Sequence, residues 1–212
     1  MQEKKPRQTN ADNAASRRQP TQQRSRERLE RILEVAQNLI AEKGSEHVKM
    51  SEIADLAEIS IGSLYQYFPD KRAIVRSLAE TYGAQSRACV REALESVRNR
   101  KELLKAFSDL VDVYYRIVME KPVMRDISSA MRSDKELMNI ELAESKACGA
   151  LLAAAIRRVK PNADAKRVGP LAFLIWQLGE ETMRLAIAHK RAEGALLVDA
   201  YKQMSLRAME DC

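Results

Sequence analysis

Three of the ten aromatic residues in this 212-residue chain fall within four consecutive positions: Tyr65, Tyr67 and Phe68 of Ser60-Ile-Gly-Ser-Leu-Tyr-Gln-Tyr-Phe-Pro-Asp-Lys71. A tyrosine offers a rigid ring that lies along sugar or a thymine methyl, and a hydroxyl that reaches a phosphate oxygen. Gln66, between the two tyrosines, carries an amide able to pair with adenine through two hydrogen bonds, a contact worth roughly 1–3 kcal/mol of discrimination. Gly62 lets the backbone approach a phosphate at a helix start, where free N–H groups and the positive dipole end favour an anion. Lys71 adds a point charge beyond Pro69. This is chemistry for reading base edges and holding a phosphate backbone, although each residue alone is also ordinary helix surface.

Catalytic chemistry has far less to draw on. The two histidines, His47 and His189, fall in a loop and near a helix end, where surface or capping roles are commoner than catalysis. There is no Gly-rich phosphate loop, metal-ligand cluster or nucleophile motif, so no catalytic residue, metal or cofactor is expected and the chain is not read as an enzyme. Cys89, Cys148 and Cys212 are scattered and odd in number, as thiols of a reducing compartment are. The longest apolar runs, Leu151–Ile156 and Leu171–Trp176, are far shorter than the roughly 20 residues a bilayer span needs. The first residues have no apolar segment of a secretory signal. A cytoplasmic location is expected.

The elements that must position the tyrosines follow from periodicity. Leu29, Ile32, Leu33, Ala36, Leu39 and Ile40 recur at helical spacing, and Gly44 is a stop signal. A short helix over 51–57 and a brief turn follow. Ser60 is the N-cap of a third helix, its hydroxyl accepting from the Ser63 N–H, and Pro69 ends that helix after about two turns. Asp70 caps a long fourth helix over 71–98. Two short helices across a tight turn, supported by a preceding helix, form a helix-turn-helix. Leu64 and Phe68, spaced i, i+4, share the inner face and pack on Ile53, leaving Ile61, Gly62, Ser63, Tyr65, Gln66 and Tyr67 outside.

Everything beyond residue 100 also reads as helix, without an alternating strand pattern or internal repeat. The expected segments are 103–119, 123–131, 133–159, 163–191 with a bend at Gly169-Pro170, and 195–209 beyond a break at Gly194. Ser133 and Glu136 have capping-box spacing. The fold class is all-α with about nine helices, in three parts: a disordered basic arm (1–23), the helix-turn-helix head (24–70) and a helical domain (71–212).

Ile53-Ala54, then Ile59-Ser60-Ile61-Gly62-Ser63-Leu64-Tyr65-Gln66-Tyr67-Phe68, then Lys71, resembles the DNA-binding signature of the TetR/AcrR family of bacterial transcriptional regulators over about residues 26–75. The resemblance implies a homodimer that represses from a palindromic operator and is released when a small-molecule inducer binds the C-terminal domain. It assigns DNA contact to Gly62, Ser63, Tyr65, Gln66, Tyr67 and Lys71. Three positions depart from the family pattern. Glu58 replaces the usual turn glycine, so the turn is either unstrained there or carries a cost. Ile61 replaces a basic or small residue, exchanging a phosphate contact for an apolar one. Lys49 stands where a Thr or Ser cap is common; it cannot cap but can reach a phosphate.

Charge is distributed unevenly within a formal net charge of +6. Residues 1–31 hold nine Lys/Arg against four Asp/Glu, whereas residues 32–76 hold five against seven. The arm, with Arg24, Arg26 and Arg28, is either a solubilising tail or the source of long-range attraction to a phosphate backbone or an anionic surface. In a regulator it would add affinity rather than specificity. In the C-terminal part, Phe107, Tyr114, Tyr115, Met119, Met124, Met131, Met138, Trp176, Glu180 and Met183 are candidates for an apolar ligand pocket, with core packing as the plain alternative. Glu180 and Glu181 lie among apolar residues and must be paired with an arginine, exposed, protonated or aimed at a cationic ligand. Leu171, Ile175, Leu178, Leu196, Leu197, Tyr201 and Met204 are the expected dimer interface, a four-helix bundle across a two-fold axis. A ligand-independent architectural DNA-binding protein of the same fold is the alternative; a membrane-surface helix protein would explain the arm but not the Ser60–Phe68 register.

Overall fold

The computed structural model describes residues 11–132 and 134–212. Among these residues the regular elements are nine α-helices: α1 Ala11–Lys43, α2 Met50–Leu56, α3 Ile61–Tyr67, α4 Lys71–Glu95, α5 Arg100–Glu120, α6 Pro122–Arg132, α7 Lys135–Val159, α8 Ala165–Ala188 and α9 Arg191–Asp211. The all-α reading therefore holds among the described residues. Their helices are not long and apolar enough to cross a membrane.

Helix boundaries follow their caps. The Ser60 Oγ accepts from the Ser63 N–H at 3.1 Å, and the Asp70 carboxylate accepts from the Ala73 N–H at 2.8 Å, as expected. Gly44 ends α1 with φ +81°, a conformation that needs no Cβ. The two histidines cap helix ends: Nδ1 of His47 donates to the Lys43 carbonyl at 3.0 Å, and that of His189 to the Leu185 carbonyl at 2.8 Å.

Three local expectations change. Residues 11–23, read as part of a disordered arm, extend α1 in spite of Pro20, which removes one backbone hydrogen bond from the helix. The remaining arm residues, 1–10, lie outside the described residues. At the start of α7, Asp134 is the cap, accepting from the Glu136 and Leu137 N–H groups at 2.8 and 3.2 Å. Ser133 lies outside the described residues, and Glu136 is engaged elsewhere. Gly194 sits within the first turn of α9 and does not break it: a Cβ there would come within 2.3 Å of the Ala186 carbonyl oxygen, so glycine lets α9 start against the end of α8.

Two apolar cores are strung along α4. One gathers Ile32, Ala36 and Ile40 of α1, Ile53 of α2, Leu64 of α3, Phe68 and the first turns of α4; Val123, Ile127 and Met131 of α6 complete it. The other joins the far half of α4 to α5, α7, α8 and α9 around Phe107, Leu152, Ile156 and Tyr201. Ion pairs brace the first core from outside. Arg72 binds Asp134 and Glu136, with Nη2 2.8 Å from the Glu136 carboxylate, and Arg76 also pairs with Glu136.

The turn between α2 and α3 carries a cost. Ile59 N–H donates to the Ala54 carbonyl at 3.0 Å and Glu58 N–H to that of Asp55 at 3.1 Å, a helix-ending pattern that forces Glu58 to φ +56°. A non-glycine residue there costs about 1–2 kcal/mol. The Glu58 carboxylate recovers a little through an exposed pair with Arg31 at 2.9 Å. Glu58→Gly is expected to raise stability by about 0.5–1 kcal/mol in a denaturant titration, after the entropy of glycine is subtracted. A loss of stability would show that the ion pair outweighs the backbone cost.

Candidate nucleic-acid interface and ligand cavity

The recognition surface is built from the inside outward. Leu64 and Phe68 are buried in the head core beside Ile53, which fixes the angular position of every other α3 residue. Ile61 and Tyr65 then stand 43% and 50% exposed, unusual for large apolar groups, and Gln66 lies beside them in solvent. A Cβ on Gly62 would meet nothing within 4 Å, so the backbone there is open to an approaching group. Arg24, Arg26 and Arg28 are exposed along α1, and Lys49 is exposed at the start of α2.

Three expected contact residues have intramolecular work as well. Tyr67 is half-buried against the head core, with its hydroxyl 3.2 Å from the Ser25 Oγ on α1. Lys71 Nζ donates to the Glu46 carbonyl at 3.0 Å, tying the α1–α2 loop to α4. Ser63 is half-buried, its Oγ 2.8 Å from that of Ser60. Lys49 does not cap α2 with its side chain. Instead Glu52 accepts from the Lys49 N–H at 3.0 Å and from Lys43 Nζ at 2.6 Å, and these bonds, Lys43 first, hold its carboxyl below the usual range.

Beneath the head, α4–α9 line two adjoining, partly open chambers of about 320 and 160 Å³. Tyr82, Tyr114, Met124, Trp176, Glu180 and Met183 line both. Of the other expected pocket residues, Phe107 lines the smaller chamber and Met131 the larger. Tyr115, Met119 and Met138 line neither chamber. Tyr115 is one position on from Tyr114, about 100° around the helix, and packs beside the second core; Met119 and Met138 face solvent. Tyr82, Glu141 and Cys148 also line the larger chamber, beyond the residues expected from the sequence. On α7 the signal was present: Glu141, Glu144, Ser145 and Cys148 share one helical face.

Glu180 is the cavity's distinctive polar group. Tyr114 Oη donates to its carboxylate at 2.6 Å. Burial pushes the Glu180 carboxyl up to about 7, a shift opposed by the Tyr114 bond and reinforced by nearby Glu141. Burial likewise raises Glu141, and the Tyr114 hydroxyl is raised by burial and then by Glu180. The Cys148 thiol is pushed to about 12, again chiefly by burial, which removes thiolate reactivity. The expected Glu–Arg pair belongs to the neighbour: Glu181 pairs with Arg184 and, at 3.5 Å, with Arg132.

The expected dimer surface divides. Ile175 and Tyr201 are buried inside the subunit, where Tyr201 Oη donates to the Ile175 carbonyl at 2.8 Å, so neither is available to a partner. The α8–α9 pair has to close its own seam first, and these two residues do so. Leu178, Leu196, Leu197 and Met204 remain exposed, with Leu174 and Leu185, while Leu171 is half-buried.

A helix-turn-helix with an aromatic, hydrogen-bonding outer face, joined to a hollow helical domain, defines a DNA-binding transcriptional regulator. The family model described as "Bacterial regulatory proteins, tetR family" matches residues 32–78, and "Tetracyclin repressor-like, C-terminal domain" matches residues 101–211. The chain belongs to the tetR family of bacterial regulators. The HTH-type transcriptional repressor KstR of Mycobacterium tuberculosis is 44% identical over 46 residues, which are 22% of this chain and 21% of that protein. The chain thus spans only about a fifth of that relative's length. The fatty acid degradation regulator FadR from Bacillus halodurans shares the fold with TM-score 0.63 and 18% identity, covering 84% of this chain and 97% of that one. The reduced form of Escherichia coli NemR does so with TM-score 0.61 and 18% identity, covering 83% and 94%.

The raised carboxyl makes a stability prediction. Glu180 binds its proton more tightly folded than unfolded, so its contribution falls as pH rises from about 4.5 to about 7 and stays unfavourable above. Glu180→Gln keeps an acceptor for Tyr114 without the charge. It is expected to exceed the parent in denaturant stability near about pH 8 by on the order of 2 kcal/mol, with the gain shrinking towards about pH 5. An equal gain at both would contradict the assignment.

Proposed function

We propose that this protein is a cytoplasmic, ligand-responsive repressor that occupies a palindromic operator as a homodimer and is released when a small molecule fills the cavity beneath the head. One observation carries this reading: Ile127 and Met131 of α6 belong to the buried core of the head and also line the larger chamber. A ligand that displaces them must repack the support on which α3 rests, because interiors transmit volume changes and do not absorb them. The exposed leucines of α8 and α9 support a two-fold partner, which would place two α3 helices against successive turns of a duplex.

In this reading Tyr65 and Gln66 meet base edges, Ile61 meets a thymine methyl or sugar, and Gly62, Ser63, Tyr67, Lys49 and Lys71 face the phosphate backbone. Arg24, Arg26 and Arg28 supply charge from α1.

The reading is tested by fluorescence anisotropy on an inverted repeat near the gene, against a scrambled duplex. The Tyr65→Ala, Gln66→Ala double variant should lose about 1–3 kcal/mol of preference for each base edge no longer read. Retained preference would contradict the assigned face. Tyr67→Phe is the appropriate change at that position, because an alanine would also remove head packing. Deleting residues 1–23 should make the salt dependence shallower by roughly 0.9 for each phosphate no longer neutralised, with sequence preference intact. An unchanged slope would exclude a DNA role for residues 1–23 and leave Arg24, Arg26 and Arg28 as the source of charge. Weak, sequence-indifferent binding unaffected by any effector would instead favour the architectural alternative.

A further inference from the structure

The placement of Glu180 within the chambers identifies a ligand class, an inference that rests on the proposed role of the cavity as the effector site. We infer that the cavity binds a hydrophobic cation: an apolar body carrying one protonated amine or quaternary ammonium group, seated against the Glu180 carboxylate.

At the cavity Glu180 and Glu141 stand outside the ion pairs, although the acids Glu141, Glu144, Glu180 and Glu181 equal in number the bases Arg87, Lys121, Arg132 and Arg184. Glu180 lines both chambers, and Tyr114 and Trp176, its hydrogen-bonding neighbours, are uncharged. Among the described residues, the basic side chains facing the larger chamber or bracing its wall pair with other acids, although the buried Nε of Arg184 keeps no hydrogen-bond partner. Arg87 of α4 donates to Glu144 of α7 at 2.5 Å, and Arg132 of α6 and Arg184 of α8 pair with Glu181. Lys121 lies at the smaller chamber with its ammonium 6.0 Å from the centre of the Tyr82 ring. The nearest additional charge, Glu141, is of the same sign and pushes the Glu180 carboxyl further up.

Above about pH 7, where this carboxyl gives up its proton, it is a half-buried charge outside any ion pair, which is costly until a counter-ion arrives. A ligand cation supplies it. An anion would meet Glu180 and Glu141, and a neutral ligand would leave the cost in place. The surroundings suit the same group: Tyr114 and Trp176 line both chambers beside Glu180, and aromatic rings attract a cation, including a quaternary ammonium that cannot donate a hydrogen bond. Met124, Met183 and Ile127 provide adaptable apolar contact for the remainder of the molecule.

Isothermal titration below micellar concentration, with decyltrimethylammonium, decanol and decanoate on the full-length protein, tests the inference. The cation should bind at least about tenfold tighter than either counterpart. Glu180→Gln should bring it to within about twofold of decanol and leave decanol itself little changed. Equal affinities for the three probes, or a preference for decanoate, would overturn the inference, and the unmodified protein decides this even if the variant folds poorly. Repeating the titration with operator bound separates the two readings. Cation preference without DNA release supports the ligand class and defeats ligand-responsive repression. Release by decanol or decanoate without cation preference does the reverse.

Discussion

The structure depends on the apolar contact between α6 and the helix-turn-helix head. The head's two short helices, α2 and α3 of seven residues each, bury too little surface against α1 alone for a stable domain. Val123, Ile127 and Met131 close the head core from below, and Leu137 at the start of α7 joins them. The same helix offers Met124, Ile127 and Met131 to the cavity. The head therefore has no floor of its own: its floor is the cavity's roof. The salt-bridge network of Arg72 and Arg76 with Asp134 and Glu136 fixes this contact in register from the solvent side.

On the other side of the head, the constraint is geometric. With Leu64 and Phe68 buried, α3 can present only one face outward, and that face carries Ile61, Tyr65 and Gln66. The turn that sets its angle holds Glu58 in the left-handed region and so stores backbone cost beside the recognition helix. Tyr67 and Lys71 are anchors as much as contacts, through Ser25 and the Glu46 carbonyl. A residue that positions its own helix has less freedom to follow a changing DNA sequence than Gln66 does.

Much of this was legible in the sequence, and what was not has physical reasons. Ser60, Asp70 and Gly44 announce helix ends by local chemistry, which needs no tertiary information, and the i, i+4 pair Leu64–Phe68 fixes the inner face of α3. The C-terminal domain is harder because its helices bury more than one side. Tyr114 and Tyr115 are indistinguishable by composition, yet only Tyr114 reaches the cavity. Ile175 and Tyr201 have the apolar character of an interface, but they are consumed in closing α8 onto α9. Gly194 reads as a break because its reason for being glycine, the Ala186 carbonyl, lies on another helix. The unpaired acid was half legible: an acid among apolar residues was evident, but not that Glu181 takes the arginines and leaves Glu180 outside any ion pair.

Whether a sequence-reading head stands on the wall of a hollow domain is decided by genome-wide occupancy in cells. A small number of sharp binding sites centred on one inverted repeat is expected, lost when Gln66 is replaced by alanine. Broad occupancy that ignores sequence and survives the Gln66 change would contradict it.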